Sequence, residues 1–210
     1  MSNQEEQLNA LSDIRNMMDR SSRFISLSGL SGVFAGITAL VGAYFAYGEL
    51  KKYLEGDFGY GIGADGEIEA NLIKIAFFVL VIALAGGFLF TYRQSKKKNI
   101  PFWGKTAKNL MINLAIPLIV GGFFIIALLF NFPSALGLVA PSCLIFYGLA
   151  LINASKYTYT DIRFLGICEV ILGIIAMFYV GYGLYFWAIG FGILHILYGL
   201  IMYFKYERNS

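Results

Sequence analysis

Six stretches of about twenty mostly apolar residues follow one another along this chain, and each matches the ~30 Å hydrocarbon core of a bilayer. They cover residues 24–47, 72–92, 110–130, 135–154, 162–180 and 184–204. The runs are continuous rather than alternating. Backbone N–H and C=O groups inside hydrocarbon must be satisfied within the segment, so each run is expected to be a helix. The fold class that follows is all-α, a polytopic transmembrane bundle of six spans. Composition agrees: 58% of residues are hydrophobic and 14% charged, against a usual charged share of about a quarter. The expected organisation is one transmembrane domain over 24–206, preceded by a polar segment over 1–23.

That segment places Leu8, Leu11, Ile14 and Met18 on one helical face and Glu5, Asp13, Arg15 and Arg20 on the other. An amphipathic N-terminal helix on the membrane surface is expected, and residues 5–22 could also engage a cytoplasmic protein partner or a second copy of the chain. No short apolar stretch with a small-residue cleavage site precedes the first span, which is therefore expected to be retained.

Charge orients the bundle. Arg15, Arg20 and Arg23 precede the first span, and Arg93, Lys96, Lys97, Lys98, Lys105 and Lys108 join the second to the third. Lys156 and Arg163 join the fourth to the fifth, and Lys205 and Arg208 follow the sixth. Only Lys51, Lys52 and Lys74 fall towards the other side. Six spans with both termini cytoplasmic satisfy the positive-inside rule. Residues 48–70 read as one long solvated loop, glycine-rich and acidic; the spacing of Asp65, Glu67 and Glu69 does not fit an EF-hand.

The last two spans carry the candidate site. Glu169 interrupts one apolar run, and His195, the chain's sole histidine, interrupts the other. Each lies thirteen residues from Tyr182 in the connecting turn. Both arms of an antiparallel hairpin rise equally per residue, so the two should lie level. Gly166 and Gly173 flank Glu169, and Gly192 and Gly199 flank His195, so both are expected to face protein, and each other. An ionisable side chain in hydrocarbon costs about 2.5 kcal/mol or more and is a functional candidate by default. The pair reads either as a structural clamp or as a proton-relay or ligand site.

Other features bear on packing. Ser28, Gly32 and Gly36 recur every four residues, a small-residue face where a neighbouring helix approaches. Pro117 and Pro141 are expected to kink the third and fourth spans. Cys143 and Cys168 lie inside apolar runs and read as buried hydrophobes. One histidine and two such cysteines do not make an ordinary zinc site, and a haem on His195 would lack a second histidine. HExxH, GxSxG and Walker A patterns do not occur. No metal or cofactor is expected, and without a basic array interleaved with exposed aromatics, nucleic acid is not expected as a partner.

The stretches RSSRFISLSGLSG at 20–32, FLGICEVILG at 164–173 and FGILHILYG at 191–199 resemble a group of uncharacterised six-span bacterial inner-membrane proteins. The resemblance implies bacterial origin and topology, and carries no activity. Two functions stay open: a non-enzymatic sensory, regulatory or assembly protein, or a small proton-coupled transporter or channel working through Glu169 and His195. An intramembrane enzyme is a more distant third.

Overall fold

A computed structural model describes residues 24, 27–55, 64–99 and 102–208. The amphipathic helix expected over 4–22 lies outside them. All regular structure among the described residues is helical: α1 (Gly29–Glu55), α2 (Ala64–Lys97), α3 (Lys105–Asn131), α4 (Val139–Ala154), α5 (Asp161–Phe178) and α6 (Gly183–Tyr206). Among the described residues, five candidate spans are long and apolar enough to cross a membrane: within α1, within α2, α3, the stretch Ala135–Tyr157 around α4, and α6. The other helix, α5, is 18 residues long and carries Asp161, Arg163 and Glu169.

The boundaries correct several expectations. The long loop over 48–70 shrinks, because α1 continues to Glu55 and α2 begins at Ala64. Polar residues extend a helix readily once apolar packing has nucleated it. For the same reason α2 runs on through Arg93, Lys96 and Lys97. At the other extreme, Phe24, Leu27 and Ser28 are not part of α1. Phe24 instead donates its backbone N–H to Tyr157 O (2.6 Å) and accepts from Thr158 Oγ1 (2.8 Å).

Glycines decide which helices touch. α4 and α5 lie close together: a Cβ on Gly148 would meet Gly166 O at 2.6 Å, and one on Gly166 would meet Gly148 O at 2.7 Å. Gly173 lies against Ile145 and Leu144 of α4. Thus Gly166 and Gly173, expected on the hairpin face, pack on α4 instead. Gly32 and Gly36 face the backbone of α6 at His195, Gly199 and Gly192. This chain's own α6 therefore occupies the small-residue face of α1. Ser28 lies one residue before α1 and serves its N-terminus rather than the face.

The peripheral helices hang from this centre. α2 is attached to α1, where Gly42 meets Val79 and Gly86 meets Phe34, and α3 is attached to α4, where Gly121 meets Phe146. Their remaining surface is apolar and open: Phe77 and Phe78 on α2 and Phe123 and Phe130 on α3 are 60–84% exposed. Contact with lipid accounts for such surface, which water would penalise by roughly 25 cal/mol per Å².

The two prolines behave differently. Pro117 is inside α3 and cannot donate to the carbonyl of Asn113. That oxygen instead accepts from Asn153 Nδ2 of α4 at 2.9 Å, so a helix defect becomes an interhelical bond. Pro141 is the third residue of α4, in the turn where an N–H has no intrahelical acceptor. It removes no bond within α4. Pro133–Leu138 forms a 3-10 turn leading into α4.

Candidate functional site

Glu169 lies mid-way along α5 and is 0% exposed. A Cβ placed on Gly190 of α6 would lie 2.5 Å from Glu169 Oε2, so the absence of a side chain at residue 190 is what admits the carboxyl. Neither carboxyl oxygen has a hydrogen-bond partner among the described residues. His195 Nδ1 lies 3.4 Å from Oε1.

His195 is better provided for. Its Nδ1 is 2.9 Å from Gly190 O, and its Nε2 is 2.8 Å from the Tyr147 hydroxyl of α4. A carbonyl oxygen only accepts, so Nδ1 carries a proton and donates it. In a neutral ring Nε2 then accepts from Tyr147 O–H. The ring is also held by aromatic contacts: Tyr147 and Phe191 centroids lie 5.4 and 5.9 Å away, and Phe191 lies 5.4 Å from Trp187.

The bond from His195 back to Gly190 spans five residues, and this follows from the backbone. Residues Ala188–Leu194 form a π-helical segment, and the regular helix resumes at His195. A π turn widens the helix by one residue and is often found at functional sites. Here the widening presents Gly190 O to the imidazole of the first residue beyond it.

The structure therefore brings Glu169 and His195 to the same level, and adds Tyr147. Sequence reasoning missed this third group. The available signal was position: Tyr147 lies in the middle of an apolar run, away from the interfacial zone where tyrosine is enriched. Pro117, Pro141, Ser28, Gly32 and Gly36 do not join the cluster. Cys168 Sγ lies 3.8 Å from Tyr198 Oη, apart from Glu169.

Chemically, an ionised carboxylate here would have one compensating neighbour, the imidazole, and a protonated one would have no acceptor for its O–H. Burying such a group without partners costs free energy in either state. The arrangement suits a site that exchanges a proton, because neither state is locked by hydrogen bonds.

A second polar cluster closes the end of the bundle that holds the basic residues. Glu207, buried beyond the last turn of α6, accepts from Ser28 Oγ (3.1 Å) and from the backbone N–H of Gly29. A carboxylate thereby caps the positive end of α1. Asp161 at the start of α5 accepts from Lys205 Nζ (3.0 and 3.1 Å) and from the Tyr206 hydroxyl (2.6 Å). Burial alone would raise the Asp161 carboxyl, but those donors outweigh it and hold the group below its ordinary range. The Tyr206 ring stacks on Tyr159 at 4.1 Å, and Lys98 Nζ donates to Tyr159 Oη at 3.1 Å. Burial pushes the Tyr159 phenol up to about 12 and pulls the Lys98 ammonium down.

Two shallow clefts lie at the opposite end. One is lined by Tyr44–Lys52 residues of α1; the other, between α1 and α2, is lined by Phe45, Glu49, Asn71, Lys74, Ile75 and Phe78. Neither reaches Glu169 or His195.

Compared with known proteins, the chain matches no family model, no curated protein and no solved structure.

Proposed function

We propose that this chain is a six-span protein of the bacterial inner membrane that binds and releases a proton at Glu169, working as a small proton-coupled transporter. One observation carries the reading: a carboxyl that is 0% exposed, with no hydrogen-bond partner and an imidazole 3.4 Å away. A structural clamp would be expected to satisfy its members, whereas an intramembrane carboxyl left unpaired beside a histidine fits a proton relay.

The topology belongs to the same proposal. α5 rises about 27 Å over its 18 residues, close to the hydrocarbon thickness, and counts as the further span. The clustered basic residues favour a cytoplasmic position for that end and for both termini.

The test uses purified protein in proteoliposomes carrying a pH-sensitive dye, with a proton gradient imposed. Proton flux lost in Glu169→Gln and reduced in His195→Ala supports the reading. Flux unchanged in both variants overturns it.

A second reading is a non-enzymatic sensory, regulatory or assembly protein whose N-terminal residues 5–22 recruit a cytoplasmic partner. What favours it is that the two clefts at the far end stop short of the site. Deleting residues 1–20 should then abolish partner capture while leaving proton uptake intact.

A further inference from the structure

We infer that α6 is a hinged gate, and that its switch is the choice between two acceptors for the Nδ1 proton of His195. The inference rests on the proton-binding reading of Glu169 and goes beyond it to the moving part.

One donor faces two acceptors. Gly190 O lies 2.9 Å from Nδ1 and Glu169 Oε1 lies 3.4 Å from it. A neutral carboxyl competes poorly with a backbone carbonyl, so the arrangement seen is the one expected with Glu169 uncharged. Ionised, the carboxylate offers a charge-assisted bond roughly twice as strong as a neutral one. The Nδ1–H then turns to Oε1, and Gly190 O loses its donor. The proton released by Glu169 goes to solvent, and the imidazole keeps its own. A buried carbonyl without a donor is costly, and Gly190 O regains one if the π segment resets to an α-helix. Resetting removes one residue from the widened turn and rotates one side of α6 against the other by about 100°.

Packing decides which side moves. Beyond His195, α6 is fixed: Gly199 lies against the backbone of Gly29, Gly32 and Val33, Lys205 and Tyr206 hold Asp161, and Glu207 caps α1. Before the π segment, the five residues Gly183–Trp187 meet Gly137, Ala140 and Pro141 at the start of α4 through Gly183 and touch α1 and α5 more lightly, and Tyr182 and Tyr185 are exposed. The turn that precedes them contains Gly181 at φ 101°, a left-handed conformation that only glycine adopts freely and a natural pivot. The outer part of α6 is therefore the gate.

The groups around the switch are few. Tyr147 faces the imidazole from α4, with Cys143 one turn before it, and Glu169 faces it from α5. Gly36 and Leu40 of α1, packed at Gly192, bring nothing titratable. Cys168 and Tyr198 are paired with each other.

Trp187 sits on the gate and reports its position. In a Trp103→Phe background, Trp187 emission is followed from about pH 5 to about pH 9, together with proton uptake by a pH indicator. The expected result is a change in emission maximum that tracks proton uptake, and its loss in Glu169→Gln, which stays at the low-pH signal throughout. Emission that is flat while protons are taken up overturns the gate and leaves the proton site standing. No Glu169-dependent uptake overturns the underlying reading as well. Should Glu169→Gln fail to fold, amide exchange of the unaltered chain decides: 188–195 must change protection with pH relative to 197–205, and equal behaviour of the two segments overturns the gate.

Discussion

Two glutamates are buried among the described residues, and the molecule treats them in opposite ways. Glu207 sits at an end of the bundle, 7% exposed, and both its oxygens are used, one by Ser28 and one by the N–H that opens α1. Glu169 sits mid-span at 0% exposure with neither oxygen used. The first carboxylate joins the two termini of the helical domain, because α6 ends where α1 begins. The second joins nothing, and the fold keeps it at a cost. Burial alone therefore does not distinguish a structural acid from a functional one. The count of satisfied lone pairs does.

The largest effect that would break this contrast is at Glu207. Glu207→Ala leaves the Gly29 N–H and the Ser28 hydroxyl without acceptors and removes the negative charge from the positive end of α1. A loss of about 3 kcal/mol is expected, read as a fall in thermal midpoint of the protein in detergent or nanodiscs. A midpoint equal to that of the parent would mean that this carboxylate is no more structural than Glu169.

The polar bond between α3 and α4 comes next. Asn153→Ala strands the Asn113 carbonyl that Pro117 cannot serve, at a cost of about 1 kcal/mol. Restoring an N–H with Pro117→Ala should recover part of that loss, because the helix can then satisfy the oxygen itself. A double-mutant cycle measures the coupling. Additive losses would show that the Asn153 bond does not replace the missing helix bond.

How much of this was legible in the sequence varied with the physics behind each feature. Helices were legible because a run of twenty apolar residues has few other options, yet their ends were not: α1 runs on to Glu55 and α2 begins at Ala64, both inside the expected 48–70 loop. The level placement of Glu169 and His195 could be read from equal distances to Tyr182, since it needs only the constant rise of two antiparallel helices. Small residues announced close approach but not the partner. Gly166 and Gly173 met α4, and Gly32 and Gly36 met α6, because a glycine carries no information about what will fill its space. Tyr147 was invisible for a related reason, arriving from a helix that no sequence spacing ties to the hairpin. The π segment left no mark in composition, being a matter of backbone bonding alone. Glu207 looked like one more charge after a last span, and only the return of α6 to the start of α1 gives it a role.

A smaller effect sharpens the contrast through pH. Asp161 resembles Glu207 in being satisfied, by Lys205 and Tyr206, but it is nearer solvent. Its folded-state carboxyl titrates below its unfolded value, so its contribution is fully present above the ordinary aspartate range and fades as pH falls through the lower, folded value. The pair is partly exposed, and the expected contribution is about 1 kcal/mol or less. The difference in thermal midpoint between the parent and Asp161→Asn should hold steady from about pH 8 to about pH 5 and narrow below about pH 4. A gap that widens on acidification would contradict the satisfied geometry.

The smallest stability effect is expected at Glu169, where the fold invests most space in a charge it does not pair. Glu169→Gln keeps the shape and removes the titration. Since no hydrogen bond to the carboxyl exists to be lost, the thermal midpoint should move by less than the equivalent of about 0.5 kcal/mol, or rise. Glu169→Leu, which replaces the polar group by an apolar one of similar bulk, should be neutral or stabilising for the same reason. His195→Ala differs, because it strands Tyr147 and Gly190 O and should cost about 1–2 kcal/mol. This asymmetry between the two members of one pair is the sharpest consequence of the geometry. A clamp would lose comparable stability from either side, and a double-mutant cycle would give strong coupling. A proton site standing beside a structurally bonded histidine loses stability from the histidine side alone, while proton uptake disappears with the glutamate.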